Sequence, residues 1–345
     1  MKVTPATAYS IEQVDLPSMS DEQLRPFVEL AWRRSREEVP EDPVPPMDAM
    51  ATRFRLTSPL FVRQRWAVWA GPGRLAATLL VNRSTTDNLN IRDLQIEVDP
   101  EHRRRGLGKR LLAKAVESCG SAEGLILQAW TMSRVPSGAA FAERIGAKPG
   151  LRMRESQLDL RSIDRALMRT WAAVEPTGYR IEFIDGDTPD HLMDNVVTAV
   201  RAINTMPRED LQVEDWKITP ETLREWDRIT RARGQEHRTA IVIEDSTGAS
   251  AGFTELFYDP RVPSVLFQGG TATIPEHRGK GIGKWVKARM VQRVLDELPD
   301  ARYIRTGNAG TNAAMLAINV AMGFKPAWES VIWQIPLEDA RRYVR

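Results

Sequence analysis

At 345 residues the chain exceeds the ~250–300 residues at which a single hydrophobic core stops growing, so two domains are expected. Its 42% hydrophobic and 27% charged residues exclude a disordered or fibrous protein. Lys and Arg number 48 against 46 Asp and Glu, a formal charge of +2, so no global field favours nucleic acid or an anionic membrane and any polyanion must be held locally.

In chain order, Asp21–Glu37 reads as a helix from its apolar Leu24, Val28, Leu30 and Ala31. The run Val39-Pro40-Glu41-Asp42-Pro43-Val44-Pro45-Pro46 ends it. Trp66–Trp69 and Arg74–Asn82 read as a hairpin around Gly71-Pro72-Gly73, and Asn88–Val98 as a third strand. Gly108–Ser118 is an amphipathic helix with Leu111, Leu112, Ala115 and Val116 on one face. Leu125–Trp130 is a strand, Gly138–Ile145 a short helix, and Gln157–Leu160 the strand expected to close the first sheet. Ser162–Val174 is a connecting helix.

The second half repeats this order. Pro189–Asn204 and Pro220–Ala232 are helices, and Thr239–Glu244 with Ala251–Tyr258 form a hairpin around Ser246-Thr247-Gly248. The strand Val265–Ile274, the helix Ile282–Leu298, the strand Tyr303–Thr306 and the helix Thr311–Met322 follow. Ser330–Ile335 is expected to close the second sheet. The division expected is an N-terminal domain over 1–160, a connector over 161–178 and a C-terminal domain over 179–345.

The repeat is also visible residue by residue. Pro100-Glu101-His102-Arg103 recurs as Pro275-Glu276-His277-Arg278, and each copy runs on into Gly-x-Gly-Lys, Gly106-Leu107-Gly108-Lys109 and Gly281-Ile282-Gly283-Lys284. Gly146-Ala147-Lys148-Pro149 is answered by Gly323-Phe324-Lys325-Pro326. A loop of this kind, between a strand and an amphipathic helix, suits a pyrophosphate. Its glycines allow close backbone approach, and the first-turn N–H groups with the positive helix end attract an anion. No P-loop sequence is present. The third glycine of the dinucleotide fingerprint is also missing, its positions being Leu111 and Val286.

What remains, Arg-x-x-Gly-x-Gly in each half, resembles motif A of the GNAT superfamily of N-acetyltransferases. The surrounding Ala251-Gly252-Phe253-Thr254-Glu255-Leu256, Thr306-Gly307-Asn308-Ala309 with Asn312, and Asn319-Val320-Ala321-Met322-Gly323-Phe324 extend the likeness. With Val39-Pro40-Glu41-Asp42-Pro43 they are similar to the actinobacterial tandem GNAT group that includes mycothiol synthase. The resemblance implies an α/β (α+β) chain of two tandem GNAT folds, each a mixed central sheet with flanking helices and with two parallel strands splayed around acetyl-CoA. It places pantetheine along Thr271, Ala272 and Thr273 and the pyrophosphate along Arg278, Gly279, Lys280, Gly281, Ile282, Gly283 and Lys284, with Asn308 and Asn312 beside the pantetheine arm. In the first half the matching positions are Ile96, Glu97, Val98, Arg103, Arg104, Arg105, Gly106, Leu107, Gly108 and Lys109.

Acetyl transfer to an amine needs a base, N–H donors for the oxyanion and a proton source for the thiolate. Glu255, a lone carboxylate on a strand of apolar or small residues, is the candidate base; a solvated strand face is its other reading. The family's usual tyrosine on the later helix is replaced by Ala142 and Asn319, and Tyr258 and Tyr303 are available elsewhere without any spacing that selects them. The first half lacks the asparagines as well, with Gln128-Ala129-Trp130-Thr131 in place of Thr306-Gly307-Asn308-Ala309. The expectation is therefore acetyl transfer to the primary amine of a small molecule by direct attack, with catalysis in the second half and CoA held at least structurally in the first. A silent CoA-binding regulator and mycothiol synthase itself are the alternatives.

Cys119 is the only cysteine and there are four histidines, so neither a disulfide nor a metal site is expected. Met1 to Asp15 holds no apolar run of signal-peptide length, and no segment reaches the ~20 apolar residues of a membrane span. A cytoplasmic monomer or homodimer without nucleic-acid or membrane partners is expected.

Overall fold

The computed structural model describes residues 9–345; the part of the N-terminal reading that rests on residues 1–8 lies outside them. In chain order the elements are β1 (Ser10–Gln13), α1 (Asp21–Glu38), α2 (Met47–Arg55), β2 (Phe61–Trp69), β3 (Leu75–Ser84), β4 (Ile91–Val98), α3 (Leu107–Ser118), β5 (Ile126–Met132), α4 (Pro136–Arg144) and β6 (Lys148–Asp159). They continue as α5 (Arg165–Ala173), β7 (Tyr179–Asp185), α6 (Met193–Arg201), α7 (Pro220–Ala232), β8 (Glu236–Glu244), β9 (Ser250–Tyr258) and β10 (Val265–Thr273). The last are α8 (Ile282–Glu297), β11 (Tyr303–Ala309), α9 (Ala313–Met322), β12 (Lys325–Pro336) and α10 (Leu337–Val344). The elements flanking both glycine loops fall where the sequence puts them. Short β1 and β7, α2 directly behind the proline run, and α10 are additions.

The elements form two compact units, each discontinuous in sequence. The first holds residues up to Leu151 together with Asp210–Glu214 and Ser330–Arg345; the second holds Arg152–Glu209 and Asp215–Glu329. In the first, strands are ordered β1-β2-β3-β4-β5 with Ser330–Pro336 of β12 antiparallel to β5. In the second, Met153–Asp159 of β6 runs antiparallel to β11, followed by β10, β9, β8 and β7.

This corrects the expected pairing of the closing strands. Gln157–Leu160 does not close the first sheet, and Ser330–Ile335 does not close the second; each pairs in the other unit. Side-chain fit explains the choice. A Cβ at Gly307 of β11 would lie 2.7 Å from Glu155 Oε2 and 2.8 Å from Met153 Cε, so that glycine is matched to β6. Arg305 Nε donates to Gln157 Oε1 at 2.8 Å across the same pair. On β12, Trp333 Nε1 donates to Thr131 Oγ1 at 2.7 Å and Gln334 Nε2 to Gln128 Oε1 at 2.9 Å.

Each unit has its own core. In the first, Leu111 and Leu112 of α3 pack with Leu79, Leu127, Trp333 and Ile335. In the second, Trp285 and Val286 of α8 pack with Leu158, Leu266, Ile304 and Phe324. Each fully buried side chain of this size contributes about 1.5–3 kcal/mol by removal from water, which anchors the helix behind each glycine loop to its sheet. Among the described residues no helix is long and apolar enough to cross a membrane, and no group of His, Cys, Asp or Glu is arranged to hold a metal ion.

Candidate active site

In the second unit β10 and β11 are parallel partners only from Val265–Tyr303 to Phe267–Arg305, and beyond that point the pairing stops. On its other side β10 loses register with β9 between Gln268 and Thr271, which places Gly269 and Gly270 together opposite Glu255. Such a bulge bends a strand and re-aims its groups. Here it brings the Gly270 N–H to Glu255 Oε1 at 2.7 Å. A Cβ on Gly269 would lie 2.6 Å from that oxygen, so a side chain at this position is incompatible with the contact.

The other carboxylate oxygen meets a residue that the sequence did not single out. His237 Nε2 is 3.0 Å from Glu255 Oε2 and 3.1 Å from Thr239 Oγ1, and its ring stacks on Phe257 at 4.2 Å between centroids and 5° between planes. Both side chains keep a small exposed fraction, 16% for His237 and 15% for Glu255. An ionised carboxylate only accepts, so Nε2 carries the ring proton and, in the neutral imidazole, Nδ1 is left as the acceptor.

The opposite face of β9 and β10 carries a second polar cluster, because strand side chains alternate. Lys287 of α8, 1% exposed, donates from Nζ to Gln268 Oε1 at 2.5 Å. Gln268 Nε2 then donates to Thr254 Oγ1 at 2.6 Å and Thr271 Oγ1 at 3.0 Å, and these hydroxyls are 2.7 Å apart. As an ammonium Lys287 only donates, and in that form it fixes which way the Gln268 amide points. Burial pushes its pKa down to about 7, and Nζ lies 5.3 Å from the centre of the Phe324 ring. The cluster braces both ends of the bulge from behind.

Thr271, Ala272 and Thr273 pair with Thr254, Phe253 and Gly252 of β9, which leaves their other backbone edge at the splay. Past them, Gly279 and Gly281 adopt left-handed φ of 79° and 83°. A Cβ at either would meet nothing within 4 Å, so glycine is demanded by conformation and the space before the loop is open. The first intrahelical bond runs from Trp285 N to Gly281 O, so the N–H groups of Ile282, Gly283 and Lys284 are the first-turn donors. An anion fits there. Arg278 is folded back, donating to Thr273 O at 3.2 Å and Thr205 Oγ1 at 2.6 Å. Lys280 Nζ donates to Tyr179 Oη at 2.6 Å, and Lys284 lies 4.7 Å above the Trp171 ring.

The loop is also held by a tyrosine–histidine pair repeated in both units. Tyr179 Oη is 2.9 Å from His277 Nδ1, and Tyr9 Oη is 3.0 Å from His102 Nδ1, with Arg105 donating to Tyr9 at 3.3 Å in the place of Lys280. Burial holds His102 below its usual pKa, in keeping with a neutral ring accepting the tyrosine proton. The sequence reading missed this anchor, although a signal for it exists: Tyr9-Ser10-Ile11-Glu12 answers Tyr179-Arg180-Ile181-Glu182.

The first unit keeps the loop and changes what faces it. Its parallel pairing of β4 with β5 ends at Leu94–Ala129. Gly106 has φ 79°, but Arg104 takes the left-handed position (φ 62°) that Gly279 holds in the second copy. The first-turn donors are Leu107, Gly108 and Lys109, since Arg110 N is the first to bond back, to Gly106 O. Arg103 donates to Val98 O at 3.1 Å and bidentately to Glu37 at 2.6 and 2.5 Å, so its charge is already matched. Lys109 lies 5.3 Å above Tyr343. Ile96, Glu97 and Val98 sit on β4 opposite Leu79, Thr78 and Ala77 in unbroken register, so there is no bulge. The Ala77–Val98 pair corresponds to Gly252–Thr273, which puts Leu80 and Gln95 where the second unit has Glu255 and Gly270. Glu97 is bonded to Arg34 and Gln95.

Asn312 caps α9, accepting from Met315 N at 3.3 Å, and Asn308 Oδ1 accepts from Asn319 Nδ2 at 2.8 Å. Asn319 is buried and its Oδ1 has no partner among the described residues. Tyr258 is buried and donates to Glu236; burial first, then that carboxylate, pushes its pKa up to about 12, which makes it a poor proton source. The Cys119 thiol, raised by burial, rests on Ala115 O at 3.3 Å in the first unit.

The acetyltransferase (GNAT) family profile matches residues 24–147. Among solved structures, a tandem GNAT protein from the clavulanic acid biosynthesis pathway, solved without AcCoA, superposes with a TM-score of 0.78 at 24% identity over 96% of this chain and 99% of that one. A GCN5-related N-acetyltransferase from Sphaerobacter thermophilus gives 0.66 at 14% identity over 95% and 96%. A glucosamine N-acetyltransferase region of a fungal multi-domain β-N-acetylglucosaminidase gives 0.62 at 11% identity, over 96% of this chain and 38% of that one. At these identities the likeness is one of fold. No curated protein matches the chain in sequence.

Proposed function

We propose, for a chain that carries a GNAT acetyltransferase domain on a tandem GNAT fold, that the acyltransferase reaction is N-acetylation of a small-molecule primary amine by acetyl-CoA, carried out in the second unit. The observation that supports this most is the Glu255–His237 pair at a glycine bulge beside splayed parallel strands, a combination the first unit lacks. The loop's first-turn N–H groups at Ile282, Gly283 and Lys284 take the pyrophosphate, and the free edge of Thr271–Thr273 takes the pantetheine arm. Asn312 acts as a helix cap, and Asn308 is held by Asn319.

In the reaction the ammonium form of the acceptor loses a proton to Glu255, directly or through water, with His237 bonded to the same carboxylate. The free amine attacks the thioester carbonyl, a C–N bond forms, the C–S bond breaks, and CoA leaves as thiolate that takes a proton from water or from the attacking nitrogen. The family's tyrosine position is filled by Asn319, which is buried and has no acidic proton to give. Nothing in the route passes through Cys119.

The test is release of free CoA thiol from acetyl-CoA with a panel of small primary amines. Turnover with at least one amine is expected, and its loss on Glu255→Gln locates the chemistry in the second unit. The buried asparagine at the tyrosine position favours a second reading, an acyl-CoA-binding protein without turnover. That reading stands instead if acetyl-CoA raises the melting temperature and no amine releases thiol.

A further inference from the structure

The first unit contains a cavity of about 90 Å³ between α1, α2 and the face of β2, β3 and β4. It lies where the second unit has its Glu255 site, since Leu80 and Gln95, which replace Glu255 and Gly270, both line it. One water occupies roughly 10–15 Å³ on the same measure, so the space holds a molecule of several heavy atoms. Phe27, Leu30, Ala31, Met50 and Phe54 make an apolar roof.

The charged side chains lining this cavity are Arg34, Arg65 and Glu97. Arg34 and Glu97 form an ion pair and neutralise each other. Arg65 is different. It stands on β2 directly opposite Leu80, at the position that Thr239 holds opposite Glu255 in the second unit. Among the described residues no hydrogen bond or ion pair satisfies its guanidinium; the neighbouring Arg63 is another cation, itself bonded to Asn82 and to Leu56 O. Burial, and secondarily Arg63, push its pKa down to about 10. Arg65 is half-buried; a partly desolvated charge without a counter-ion is unfavourable, and a guanidinium facing a cavity is matched to a planar carboxylate.

We propose that the first unit binds a small organic monoanion, a carboxylate with an apolar body, whose carboxylate is held by Arg65 and whose body fills the space under α1 and α2. The site has Leu80 in place of the second unit's carboxylate and a cation in place of its Thr239, so it selects an anion where the other is suited to an amine. Gln95 is exposed at its rim and gives the ligand an entry. The proposal does not depend on catalysis in the second unit.

The experiment is thermal melting and calorimetric titration of the full chain with butyrate, hexanoate and benzoate, each beside its neutral amide. The acids are expected to raise the melting temperature at millimolar concentration, and the amides are not. Arg65→Met, of similar length and no charge, is expected to weaken acid binding by roughly ten-fold or more. Should that variant fail to fold, Ala31→Phe keeps the cation, fills the space and is expected to abolish the shift. Equal response to acids and amides, an unchanged response in Arg65→Met or Ala31→Phe, or no response to any acid would overturn the proposal. A shift with acetyl-CoA alone that is lost in Arg65→Met would overturn it too, by assigning the cavity to the thioester arm.

Discussion

Glu255 Oε2 lies 3.0 Å from His237 Nε2 while its partner oxygen accepts the Gly270 N–H at 2.7 Å, so one carboxylate ties together three neighbouring strands at the point where the sheet opens. Glu255→Gln keeps the shape and removes the proton acceptor. A loss of about two orders of magnitude in kcat is expected, with KM for acetyl-CoA little changed, because general-base catalysis contributes ~10²–10⁴. His237→Gln retains the ring's volume in part and should cost less, roughly ten-fold. Thiol release measured across pH checks both; an unchanged rate in Glu255→Gln at every pH would remove it as the base.

Gly269→Ala tests whether the bulge positions that carboxylate. Its Cβ would arrive 2.6 Å from Glu255 Oε1 and 2.8 Å from a Phe257 ring carbon, so the side chains must move. Overpacking of this kind costs about 1–3 kcal/mol. The expected result is a lower melting temperature together with a fall in kcat comparable to Glu255→Gln. Normal kcat in a folded Gly269→Ala protein would show that the geometry at the bulge does not matter to the reaction.

Lys287 sets a pH dependence of stability. In the unfolded chain its amine keeps a proton to about 10.4, whereas in the fold it releases it at about 7. Between those values the unfolded state binds more protons, so stability rises with pH by up to ~1.4 kcal/mol per unit; below about 7 both states are protonated and the contribution is flat. Lys287→Met should lose this rise. Denaturant midpoints of the two proteins compared at about pH 7 and about pH 9 read it directly.

Arg104 holds a left-handed conformation that its counterpart Gly279 adopts without a side chain. That conformation costs an L-residue roughly 1–2 kcal/mol, and the greater freedom of glycine in the unfolded chain takes back ~0.5–1. Arg104→Gly is therefore expected to stabilise the protein by a few tenths to about 1 kcal/mol, and Gly279→Arg to destabilise it by a similar amount. Chemical denaturation of both variants provides the check.

The glycine loops were legible because their demands are local. A left-handed turn selects glycine at 106, 279 and 281, and a helix start leaves its first-turn N–H groups unpaired whatever side chains follow. Glu255 could be named for its isolation on an apolar strand. His237 could not, since its tie to Glu255 is made through the pairing of β8 with β9 and a ring stacked on Phe257. Lys287 was equally hidden, because a lysine near the start of an amphipathic helix reads as solvated until packing turns it inward. Arg65 and its cavity required α1 and α2 to be laid over the sheet.

By itself the sequence determined the duplication, the strand–loop–helix of each copy and the loss of equivalence between the halves, all carried by short stretches whose conformation is chosen within a few residues. Tertiary structure decided which strand closes which sheet and which polar groups meet. Periodicity tells a strand from a helix and one face from the other, but it contains nothing about partners. That choice went to contacts such as Gly307 against Glu155 and Trp333 against Thr131, which exist only when distant segments are packed together.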